Sequence, residues 1–69
     1  MAKVITWTNK FSQETGYVKK ISKAKGFFEN TFVKEEARKF RSEKEAMNAV
    51  AQLTEIGEDK NNDFAVVEL

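Results

Sequence analysis

The chain has 69 residues, enough for one domain spanning 1–69. At this size a fold buries only about 60% of the surface its unfolded form exposes. It has no cysteine and no histidine, which excludes disulfides and thiolate–zinc sites and removes the commonest general base and the best nucleophile. Lys and Arg number 12 against 11 Asp and Glu, so the net charge of +1 fits neither a surface built throughout for nucleic acid nor an acidic DNA mimic.

In chain order, residues 3–8 are β-branched or aromatic apart from Lys3, with Ile5 and Trp7 on one face and Val4, Thr6 and Thr8 on the other. This spacing predicts a strand. Asn9 to Glu14 is polar except for Phe11 and reads as a turn. Residues 15–22 predict a second strand, in which simple alternation puts Tyr17 and Ile21 on one face with Lys19 between them. Residues 23–26 supply a turn, with Gly26 free to take positive φ. Residues 27–33 predict a third strand, with Phe28 and Phe32 facing one way and Phe27, Thr31 and Val33 the other.

Lys34 to Lys39 favours a short helical piece, with Ala37 and Phe40 spaced as inward contacts of one turn. The main helix is expected over about 43–56. Ser42 followed by Glu45 forms a capping box: the serine hydroxyl accepts from the Glu45 N–H and the Glu45 carboxylate reaches back to the Ser42 N–H. Ala46, Ala49, Val50, Leu53 and Ile56 make a narrow apolar stripe. Glu43 and Glu45 suit the positive end of the helix dipole, and Gly57 suits the residue just past its C-cap. Glu58 to Asp63 lacks the acid–glycine order of a calcium loop and reads as solvated. Residues 64–69 are almost continuously apolar, which places this last strand at the centre of the sheet or buries it on both faces.

The order β-β-β-α-β implies an α+β domain. Its sheet is antiparallel, with three or four strands, and one main helix packs on one face. The pattern Ala37-x-x-Phe40-x-Ser42-x-x-Glu45-Ala46, followed by a helix and a short apolar strand, resembles small α+β proteins of Gram-positive bacteria and their phages. The aromatic hairpin before it, with Trp7, Tyr17 and Phe28, belongs to the same likeness. That grouping has no single activity to carry over. It implies a domain that binds rather than catalyses, in the role of a bacterial or prophage accessory protein.

No catalytic, cofactor-binding or metal-binding residue is expected. Ser12 and Ser42 have no histidine to activate them. Trp7 is expected in the core. Two basic clusters stand out: Tyr17, Lys19, Lys20, Lys23, Lys25 and Phe27 (or Phe28) on the hairpin, and Arg38 and Arg41 before the helix. If they share one side of the fold, they form a patch that could hold single-stranded nucleic acid, lysines on phosphates and rings on bases. Otherwise the lysines guard a sheet edge and solvate the hairpin. The leading expectation is a non-enzymatic module for a protein partner, including a homodimer through a sheet edge, with weak nucleic-acid binding as the alternative. Residues 1–5 show no signal-peptide pattern, and no run approaches the ~20 apolar residues of a membrane span. The expected setting is cytoplasmic.

Overall fold

The computed structural model of the chain describes residues 2–69. Four strands and one α-helix follow in the order β1 (Lys3–Asn9), β2 (Thr15–Ser22), β3 (Phe27–Thr31), α1 (Glu43–Glu55) and β4 (Asn62–Glu68). Short 3-10 turns occupy Lys34–Glu36 and Glu58–Lys60. The sheet is antiparallel in the order β3-β2-β1-β4. The chain is thus a four-stranded α+β fold with one main helix, as its pattern of elements predicts.

Ile5 and Trp7 turn toward α1, as do Val18 of β2 and Phe64 and Val66 of β4. They meet the helix stripe of Ala46, Ala49 and Leu53, with Val50 and Ile56 packed alongside. Alanine at two of the buried helix positions lets the backbone approach the sheet closely. Val4, Thr6, Thr8, Tyr17, Ala65 and Val67 fall on the other face. The helix start is set as the capping pattern requires, since the Ser42 Oγ accepts from the Glu45 N–H at 3.3 Å. The return bond differs by one residue: the Glu45 carboxylate accepts from the N–H of Arg41, at 3.4 Å, rather than from Ser42. Gly57 ends the helix at φ +84°, the left-handed geometry that glycine adopts without strain.

Three expectations are corrected. First, β4 is an edge strand and not a central one. β2 already has β1 and β3 as neighbours, so the helix returns the chain to the free side of β1. The apolar run of β4 then splits by pleat. Phe64 and Val66 are partly buried against the core, while Ala65 and Val67 are exposed.

Second, Tyr17 and Ile21 do not share a face. The β2–β3 register shifts between Val18 and Lys20, leaving Lys19 as an extra residue. That bulge turns Ile21 to the core side with Phe28. It also bends the hairpin. Phe28 on one sheet edge and Phe64 on the other meet edge-to-face, with centroids 5.5 Å apart. The sheet is therefore curled around its core.

Third, Ala37 and Phe40 are both buried, but in extended chain rather than one helical turn. The 3-10 turn stops at Glu36. Arg38 N–H then donates to Val18 C=O at 3.0 Å, and Lys3 and Phe40 exchange backbone bonds of 2.9 and 2.8 Å. The segment 38–40 fills the slot where β1 and β2 part beyond Thr6 and Tyr17. Phe40 fills the core from there.

Candidate functional site

Two of the hairpin lysines lie beside acids. Lys19 lies 3.7 Å from Glu36, and Lys23 lies 3.5 Å from Glu55 at the end of α1. Lys20 is opposite Glu29 across the β2–β3 pair. Lys25 is exposed in the turn that Gly26 closes at φ +73°. Tyr17 is half-buried on the sheet face away from α1. Phe27 is 42% exposed on that side, whereas Phe28 is partly buried against the core. The Arg38 guanidinium sits 5.0 Å over the Phe40 ring, a cation–π contact. Arg41 is exposed beside the start of α1. Lys19, Lys23 and Arg38 thus each have a different partner, Glu36, Glu55 and the Phe40 ring.

The buried polar residues are Thr31 and Asn62, and no charged side chain among the described residues is buried. Thr31 Oγ1 donates to Glu36 and accepts from the Val33 N–H, and Asn62 Nδ2 donates to the Glu58 carbonyl. Among the described residues no cluster of three or more acids could hold a metal ion. Two surface depressions among the described residues are open. One is lined by Ala2, Lys39, Phe40 and Arg41, and the other lies between Arg38 and Gln52 of α1. No helix of the described residues is long and apolar enough to cross a membrane.

The feature that sequence reasoning missed is the outer side of β4. Leu69 N–H donates to Ala2 C=O and Lys10 N–H to Asn61 C=O, which phases the ladder with β1. By the alternation of an antiparallel pair, residues 61, 63, 65, 67 and 69 point their backbone groups inward to β1. Asn62, Phe64, Val66 and Glu68 then point theirs outward. Among the described residues, no hydrogen bond reaches those outward groups.

The two edges of the sheet differ in protection. β3 is five residues long, faces a bulge and carries Glu29 and Asn30 at its centre. These are recognised devices against edge pairing. β4 is seven residues long, has an unbroken register and holds Phe-Ala-Val-Val at its centre with no lysine or proline. Its acids sit near the ends, and each has a lysine partner on the β1 side: Glu68 with Lys3 at 3.3 Å and Asp63 with Lys10 at 3.9 Å. Val67 and Leu69 are 38% and 46% exposed beside it. The signal was present in sequence as an apolar centre between acidic ends. It could not be read without knowing that β1 had a free side.

The opposite end of the molecule from the α1 start carries a second exposed group. Phe11 tops the β1–β2 turn at 78% exposure, on a loop whose Phe11 and Ser12 N–H groups both donate to Asn9 Oδ1. Phe32 packs edge-on against Trp7, with centroids 5.7 Å apart, while leaving most of its surface open.

Comparison of the chain with protein-family models, with curated proteins and with solved structures finds no match in any of the three.

Proposed function

We propose that this chain is a non-enzymatic interaction module that binds protein by adding a strand along β4. The observation that carries the reading is the contrast between the two sheet edges: β3 is guarded, and β4 presents open backbone groups over an apolar centre. An extended segment docked there gains main-chain hydrogen bonds, and its alternate side chains cover Ala65 and Val67. The absence of histidine and cysteine, and an interior without a buried charge among the described residues, support a binding role over a catalytic one. A cytoplasmic accessory role in a bacterium or phage is proposed from the sequence resemblance and composition alone.

Selection from a displayed library of extended peptides tests the reading. Binders should slow amide exchange at Phe64, Val66 and Glu68, and should be lost in the double variant A65K/V67K, whose substitutions lie on exposed positions. A library that yields no binder, or binders indifferent to those lysines, overturns it. Single-stranded nucleic acid is the competing reading, with Tyr17, Lys19, Lys20, Lys23, Lys25 and Phe27 as its surface. The pairing of Lys19 and Lys23 with acids gives it less support. It predicts that a labelled oligonucleotide binds at low salt and is released steeply as salt rises.

A further inference from the structure

We infer that the strand added along β4 is the β4 of a second copy, giving a two-fold dimer with one continuous sheet. This rests on the reading of β4 as the binding edge and names its occupant. The argument is self-complementarity. An isologous edge contact places the same strand opposite itself, antiparallel, so its residues must tolerate their own mirror order.

With the two-fold axis at Val66, Val66 faces Val66 of the second copy on the core side. Ala65 faces Val67 on the open side, twice over. Asp63 then lies opposite Leu69, and Glu68 opposite Phe64. No like-charged side chains stand directly across from one another, an arrangement that would otherwise oppose pairing. All these backbone groups are in phase, because Phe64, Val66 and Glu68 point outward in both copies.

Charge on the edge is compensated from within each copy. Lys3 lies 3.3 Å from the Glu68 carboxylate and Lys10 3.9 Å from that of Asp63, which reduces the repulsion between two acidic-ended strands. The exposed apolar flank, Val67 with Leu69, loses water in the same contact. β3 cannot serve equally, being shorter and opposite a bulge. A contact through one edge strand falls at the small end of specific interfaces, at or below ~1,200 Å². The dimer is therefore expected to form with rising concentration.

Sedimentation equilibrium of the full chain, from about 10 µM to about 1 mM, reads this directly. The expected result is a monomer at the low end and a growing dimer at the high end. In a mixture of labelled and unlabelled protein, contacts between copies should appear at Val66 and between Ala65 and Val67. A65K/V67K sets four lysines together at the axis and should weaken association at least tenfold, with the circular dichroism and Trp7 fluorescence of the monomer kept. Val67→Lys alone gives the same direction should the double variant fold poorly. A strict monomer throughout, or a dimer that ignores both variants, overturns the inference. If the chain stays monomeric while displayed peptides still protect β4, only the second copy is wrong. If no peptide binds either, the edge reading falls with it.

Discussion

At the scale of single residues, two positions explain how so small a core closes. Trp7 is buried and its indole N–H donates to the Tyr17 carbonyl at 3.0 Å, which satisfies its one polar atom inside the core. Gly16 lies beneath that ring: a Cβ there would come within 2.8 Å of both the Thr31 carbonyl oxygen and the indole. The need is for space and not for unusual backbone, since only Gly26 and Gly57 among the glycines have positive φ. Gly16→Ala should therefore destabilise the fold by about 1–3 kcal/mol, the cost of overpacking a close contact. Urea unfolding followed by Trp7 fluorescence checks it, and an unchanged midpoint would show that the ring moves aside freely. The core role of Trp7 was legible from its strand position. The close approach over Gly16 was not, because it depends on which residue of β2 falls opposite Trp7.

At the scale of elements, one inserted residue governs the shape of the sheet. The helix was readable because caps and a 3.6-residue stripe are local signals, and Ser42, Leu53 and Gly57 each sit where those signals put them. The bulge at Lys19 was not readable. Thr15 to Ser22 alternates plausibly in either phase, and only the partner strand shows where a residue is unpaired. Deleting Lys19 leaves Val18 and Ile21 on the core face but removes the bend. Phe28 would then be carried away from Phe64, and the hairpin would no longer close over the core. The expected loss is about 2–4 kcal/mol, comparable with truncating a large core side chain. Calorimetry of the deletion variant would show it as a lower melting temperature. If stability holds, the contact between the two sheet edges contributes little. The role of β4 was missed for a related reason. Strand order is a property of the whole topology, and an apolar run of that length fits a buried or a half-buried strand equally well.

At the scale of the whole molecule, positive and negative charges nearly balance, 12 Lys and Arg against 11 Asp and Glu. The four ion pairs among the described residues, Lys3–Glu68, Lys10–Asp63, Lys19–Glu36 and Lys23–Glu55, each have at least one largely exposed member. Such pairs are worth about 0–1 kcal/mol each and are screened by salt. Raising sodium chloride from 0.05 to 0.5 M should leave the unfolding free energy within about 1 kcal/mol. A larger loss in urea titrations would mean that the pairs hold the curled hairpin to the helix. The arrangement of β1 has a further consequence, for how the chain comes off the ribosome. β1 is made first and β4 last, yet they pair along their full length, from Lys3 opposite Glu68 to Asn9 opposite Asn62. The β1–β2–β3 meander can assemble from local contacts while synthesis continues. One side of β1, and part of the floor under α1, stays open until residues 62–68 emerge. β4 is therefore a latch: the sheet closes when its last strand pairs with its first, the kind of long-range step that slows the folding of a small domain.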